Sequence, residues 1–316
     1  MSEIVLMRKA YGEALVKLGE SNPDVVVLSA DVSNSDFSFM FQEAFPERFI
    51  NVGIAEQSLV DVAVGLAYEG KIPFANTFAF LFTTRALEMI RTHLCYGEAN
   101  VKLMATYAGI SDSFDGPTHH AITDLAIMRA LPNMTVVVPG DTLALARLLP
   151  QVAEWKGPVY FRVNRNEVPV IFDDSYQPVI GKAVPLRPGK DATIICCGLM
   201  VSRSLEAANI LANQGIQAGV TEIHTLKPLD EAAILQAARE TGALVTAEEH
   251  NILGGLGGAV AEVVTSHLPV PVRRVGLLDS FAETGPYNTL LDHYGLAVED
   301  ILRATKEAVN LKRSNQ

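Results

Sequence analysis

The strongest constraint on this chain is the regular alternation of strand and helix patterns, separated by short joints. That order is the signature of a parallel α/β sheet, because a parallel pair needs a crossover and a helix supplies it. In the first half the pattern predicts helices over 4–18, 37–45, 84–95, 125–130 and 143–152, and strands over 25–28, 49–52, 73–77, 101–107, 135–138 and 158–163. A sheet of about six strands follows. From Asn164 to Pro188 the pattern loosens around Pro169, Asp173, Asp174 and Pro178, as a connection between domains does. Alternation then restarts, with strands expected over 192–197, 218–223, 243–247 and 270–275 and helices over 202–212, 231–239 and 256–267. The expected fold class is α/β in two domains, residues 1–168 and a smaller 189–316, with 169–188 as linker.

Composition narrows the partners. With 316 residues, 49% of them hydrophobic, the chain has apolar material for two cores. It carries 25 Lys and Arg against 36 Asp and Glu, a formal charge of -11, and no basic run that could track a phosphate backbone, which argues against nucleic acid. The three cysteines, Cys95, Cys196 and Cys197, fit a reducing compartment, so a cytoplasmic location is expected. Residues 1–7 hold acidic Glu3 and no long apolar core, and no window reaches the roughly 18 uncharged apolar residues of a membrane span.

Five features carry possible chemistry. Glu56, in Gly53-Ile54-Ala55-Glu56-Gln57, stands between a strand and a helix whose apolar face is Leu59, Val60, Val62, Ala63, Leu66 and Ala67. An acid there complements the helix dipole or serves a ligand. Asp115-Gly116-Pro117-Thr118-His119-His120 offers a carboxylate and two imidazoles on a loop after a strand, suited to hydrogen-bonding a polyhydroxylated or phosphorylated ligand. Adjacent histidines point apart, which disfavours a shared metal. Phe74, Phe78, Phe80 and Phe82 form either core or a slot for a flat heterocycle. Arg8, Arg162 and Arg165 stand at element edges where guanidinium groups hold phosphate. Gly254-Gly255-Leu256-Gly257-Gly258 lacks the spacing of either nucleotide loop and reads as a tight turn with close helix packing.

Taken in order, Arg8-Lys9-Ala10-Tyr11-Gly12, the Glu56 segment, Thr77-Phe78-Ala79, Asp115-Gly116-Pro117-Thr118-His119 and Leu226-Lys227-Pro228-Leu229-Asp230 resemble the C-terminal half of transketolase over nearly the whole chain. The resemblance implies a thiamine diphosphate pyrimidine-binding domain followed by a transketolase C-terminal-like domain. The family's diphosphate segment, Gly-Asp-Gly with a following Asn that holds Mg²⁺, does not occur in this sequence. The chain therefore resembles one subunit of a split transketolase in carbohydrate metabolism, expected to form a heterotetramer with an N-terminal subunit that binds the diphosphate and Mg²⁺.

By this resemblance Glu56 hydrogen-bonds N1′ of the aminopyrimidine, and burial should favour its protonated form. Phe82, with Phe78 beside it, would stack on the cofactor, although counting from Phe78 instead places Leu81 at the family's aromatic position. Arg8, Ser35 and Arg165 would surround a sugar phosphate, with Asp115 and His119 at the sugar hydroxyls and reacting carbons. Tyr107 stands where the family usually has a substrate-contacting histidine, which implies a donor or acceptor differing in its charged end. The competing resemblance is to the β subunit of a 2-oxo acid dehydrogenase, which shares length, domains and the glutamate; the Arg8 and Asp115 segments argue against it. A non-catalytic paralogue is a third reading.

Overall fold

The computed structural model describes residues 3–314. A seven-stranded sheet runs in the order Thr225–Lys227, Thr135–Val137, Val159–Val163, Lys102–Thr106, Ile72–Phe78, Val25–Ser29, Phe49–Asn51. Its last six strands are parallel, which makes their C-terminal ends share one edge. The chain steps from Val25–Ser29 to Phe49–Asn51 on one side and then back to Ile72–Phe78 on the other. Loops that diverge in this way open a crevice at the strand ends, where α/β folds bind ligands. The segments after Ser29, Asn51, Phe78, Thr106 and Val163 all leave from that edge.

The seventh strand, Thr225–Lys227, comes from the second half of the chain and pairs antiparallel with Thr135–Val137. Beyond it, a five-stranded sheet orders Val272–Leu277, Leu244–Asn251, Ala192–Cys196, Ala218–Glu222 and Val184–Arg187, with only the last pair antiparallel. One apolar cluster joins the two halves, running from Leu59 and Phe82 through Leu125 and Met128 to Leu244, Leu256 and Val260. Lys227 adds a polar tie, its Nζ donating to the carbonyls of Arg129, at 3.1 Å, and Leu131. These carbonyls end the helix Asp124–Ala130, where an ammonium is favoured by the helix dipole.

The helix expected over 4–18 is corrected. Ile4–Leu6 is a strand, paired antiparallel with Glu167–Pro169, and the helix is Met7–Ser21. β-branched Ile4 and Val5 take the extended form once a partner strand is present. The helix buries Tyr11, Gly12, Leu15, Leu18 and Gly19. At Gly12 a Cβ would lie 2.6 Å from the Phe37 carbonyl oxygen, so glycine there lets the helix touch the loop after Val25–Ser29. Arg8, one turn earlier on the same face, is thereby brought to that loop.

Candidate active site

Glu56 is the first residue of the helix Glu56–Tyr68, as its position in the sequence predicts, and is 4% exposed. Its Oε1 accepts from Arg85 Nη1 at 3.3 Å, an ion-pair partner that sequence reasoning missed. Oε2 has no donor from the protein among the described residues. Ile54, Ala55, Gln57, Ser58, Thr84 and Arg85 line the depression around it. A nearly buried carboxylate oxygen opening on a depression and lacking a partner fits a ligand donor or a shared proton.

The helix Ala79–Thr84 connects this carboxylate to a second group of side chains, rising about 9 Å over its six residues. At its start Phe78 is partly exposed, its ring centroid 4.3 Å from that of Tyr107 and 6.4 Å from that of His119. Phe80 is also partly exposed, 5.0 Å from His119. Phe82 is a correction: it is 0% exposed and meets Tyr160 edge-on inside the core, so it has no face for a ligand. Leu81 is buried too. The aromatic surface near the site is Phe78 and Phe80.

Arg8, Ser35, Tyr107, Arg165, Asp112 and Asp115 form one continuous network. Arg8 donates through Nη1 to the Ser35 carbonyl and, at 3.1 Å, to the Tyr107 hydroxyl, and through Nε to the Arg165 carbonyl at 2.6 Å. Ser35 thus enters by its backbone. The Tyr107 hydroxyl also donates to the Ser35 carbonyl at 3.3 Å. Tyr107 has φ 62°, and its ring lies 5.3 Å from the Arg8 guanidinium carbon and 4.8 Å from that of Arg165. Both guanidiniums thus share one aromatic ring, whose π-electrons offset part of their repulsion.

Two aspartates hold Arg165. Its Nη1 contacts Asp112 and, at 3.1 Å, Asp115. Burial pushes Asp112 up to about 7, helped by its hydrogen bond to Asp115 and opposed by Arg165. The same bond and the guanidinium lower exposed Asp115. Asp36, beneath Ser35, is also pushed up to about 7 by burial. Asp112 and Asp36 were missed by sequence reasoning, although Asp112 lies only three residues before Asp115.

His119 faces the aromatic pair, whereas His120 is buried with neither ring nitrogen partnered among the described residues. Arg162, a candidate phosphate ligand by sequence, is instead buried, with Nε and Nη2 each 3.0 Å from the Asp124 carboxylate. The glycine-rich turn holds no open phosphate cradle either: Glu248 accepts from Leu256 N–H and Gly257 N–H, each at 2.7 Å, and fills that helix N-terminus. Among the described residues there is no group of three His, Cys, Asp or Glu side chains placed to hold a metal.

Residues 4–170 match the family described as transketolase, pyrimidine binding domain, and residues 181–301 match transketolase, C-terminal domain. The chain belongs to the transketolase family. It is 43% identical over 304 residues, 95% of each chain, to a Methanocaldococcus jannaschii protein provisionally described as a transketolase C-terminal section. To a 6-deoxy-6-sulfo-D-fructose transketolase subunit from Clostridium sp. it is 39% identical over 306 residues, 97% of this chain and 95% of the other. A solved structure described as a split gene transketolase, inactive beta4 tetramer, superposes with a TM-score of 0.92 at 48% identity, covering 98% of this chain and all of that one. The likeness is therefore to the separate C-terminal portion of a transketolase. No described helix is long and apolar enough to cross a membrane.

Proposed function

We propose that the chain is the pyrimidine-binding subunit of a split, thiamine diphosphate-dependent transketolase. In this reading it moves a two-carbon ketol unit from an anionic ketose to an aldose, and it is active with an N-terminal subunit that holds the diphosphate and Mg²⁺. The observation that carries the reading is the pairing of a nearly buried Glu56, one oxygen free, with the two-arginine cluster at the other end of the helix Ala79–Thr84. When bound, the cofactor supplies the electron sink for carbon–carbon cleavage. Glu56 holds a proton at the pyrimidine ring nitrogen N1′, with Arg85 orienting its carboxylate. Phe78, and not Phe82, gives the ring an apolar wall.

The anionic end of the ketose sits at Arg8 and Arg165, and the partly exposed Ser35 hydroxyl adds a donor nearby. Burial pushes both Asp36 and Asp112 up to about 7, which weakens the carboxylate competition for Arg8 and Arg165. Two guanidiniums brought together, on a chain of net charge -11, support an anionic ligand. Asp115 and His119 take the sugar hydroxyls and stand closest to the reacting carbons. Tyr107 blocks one guanidinium edge, which favours an end group needing few donors; a relative named for a sulfonated fructose supports a terminus of this kind. The assembly proposed is a cytoplasmic heterotetramer with two copies of each subunit, serving carbohydrate metabolism. Residues 1–168 form the cofactor domain, 169–188 the connection and 189–316 the second domain.

The test is to purify the chain with the diphosphate subunit, add thiamine diphosphate and Mg²⁺, and assay two-carbon transfer from xylulose 5-phosphate and 6-deoxy-6-sulfofructose to ribose 5-phosphate and shorter aldoses. Transfer from at least one donor, abolished by Glu56→Ala without loss of assembly, is expected. No transfer from any donor, or undiminished turnover in the variant, refutes the reading.

A further inference from the structure

The loop from Tyr107 to Thr123 carries Asp112, Asp115 and His119, yet much of what holds it belongs to the second half of the chain. Glu249, on the strand Leu244–Asn251, places its carboxylate under the loop's first turn, where Oε1 accepts the Ile110 N–H at 2.9 Å. Gly109, at φ 62°, leaves the space for it, because a Cβ there would lie 2.3 Å from that same oxygen. Tyr287 donates to Oε2 at 2.8 Å, and Asn164 donates to the Tyr287 hydroxyl at 2.7 Å and approaches Oε2 at 3.4 Å. The backbone below is also fixed, since Arg162 Nη2 donates to the Glu249 carbonyl at 3.0 Å.

Two backbone bonds complete the grip. Gly285 N–H donates to the Ser113 carbonyl at 3.0 Å, and Asn251 N–H to the Ile122 carbonyl at 2.9 Å. The loop is therefore pinned near its entry, its middle and its exit by residues 249–285. The entry pin leads directly to the arginine cluster. Ser111, next to Ile110, accepts the Arg165 N–H on its hydroxyl at 3.1 Å and the Asn166 side-chain amide on its carbonyl at 2.8 Å.

We propose that Glu249 is a positioning residue, whose carboxylate fixes the turn at Ile110 and thereby sets Asp112 and Asp115 against Arg165. The second domain is in this sense the mould of the loop. The consequence for catalysis rests on the function proposed above; the clamp itself does not. Glu249 is 4% exposed, and burial pushes it up to about 7 against the pull of Arg162, so the acceptor sits in a dry site where losing it leaves the Ile110 amide unpaired.

Hydrogen–deuterium exchange on the full chain in its native assembly tests the clamp. In Glu249→Ala, peptides covering 107–123 should exchange roughly 10- to 100-fold faster, the effect of leaving one buried donor unpaired. The strands Ala192–Cys196 and Val272–Leu277 should keep wild-type protection. Glu249→Gln, which retains an acceptor for Ile110, should restore the loop. With the diphosphate subunit present, kcat/KM for whichever of xylulose 5-phosphate and 6-deoxy-6-sulfofructose the wild type turns over should fall by a similar factor in the alanine variant and recover in the glutamine one. Unchanged loop exchange in Glu249→Ala, or an equal rise across both domains, overturns the proposal. Should that variant not fold, Tyr287→Phe must speed exchange in the same peptides, and no change there overturns it equally. A loosened loop with unaltered kcat/KM sustains the clamp and counts instead against Asp115 and His119 as substrate residues.

Discussion

Tyr107→Phe isolates one contact at the heart of the arginine cluster. It removes a hydroxyl that accepts from Arg8 at 3.1 Å and donates to the Ser35 carbonyl at 3.3 Å, while the ring stays against both guanidiniums. A hydrogen bond to a charged donor contributes about 1.5–3 kcal/mol when desolvated, but Arg8 is only half-buried and keeps two carbonyl acceptors, which brings the figure to about 1 kcal/mol. That loss should loosen Arg8 and raise KM for the anionic donor about fivefold, with kcat nearly unchanged, because the contact serves ground state and transition state alike. Tyr107→Leu also removes the ring from two guanidiniums, each contact contributing about 0.5–1 kcal/mol, so its KM should rise by roughly 30- to 150-fold. Steady-state kinetics of the reconstituted enzyme separates the terms. Equal KM values for wild type and both variants would refute the placement of the anion at Arg8 and Arg165.

Other consequences are independent of the substrate. Lys227→Met removes two bonds between the halves of the chain and should cost about 1–2 kcal/mol, seen as a melting temperature lower by a few degrees; an unchanged value would deny the tie any weight. Glu222, held up to about 8 by burial despite the Tyr176 hydroxyl at 2.7 Å, keeps its proton in the fold over a range where the unfolded chain has lost it. Its contribution is therefore present below about pH 4.5 and is lost as pH rises towards about 8. Thermal melts of Glu222→Gln should match wild type near about pH 4.5 and exceed it near about pH 8, whereas parallel curves would show that the group does not titrate in that window.

Much of this was readable before the structure because it rests on local pattern. The runs read as strands over 25–28, 49–52, 73–77 and 158–163 each hold one, and Glu56 begins its helix, since strand and helix periods differ and a helix start has its own signature. Non-local pairing was not readable. Ile4–Leu6 becomes a strand only because Glu167–Pro169 lies beside it, and Thr225–Lys227 joins a sheet begun 200 residues earlier. Phe82 was misplaced because the phase between the end of a strand and the next helix is set by the turn, which no spacing rule supplies. Arg162 looked like a ligand residue because its partner, Asp124, is distant in sequence. The final helix, Val298–Ser314, went unassigned although Ile301, Ala304, Thr305, Ala308 and Val309 carry the period clearly.

In the function proposed, everything depends on Glu56 acting on the pyrimidine of thiamine diphosphate. The most direct measurement is the rate of hydrogen–deuterium exchange at thiazolium C2 of the cofactor bound to the assembled enzyme without substrate, for wild type and Glu56→Gln. A fall of about 100-fold or more is expected in the variant, with assembly and cofactor occupancy preserved, as on removing a positioned acid–base group. An exchange rate unchanged by the substitution would contradict it.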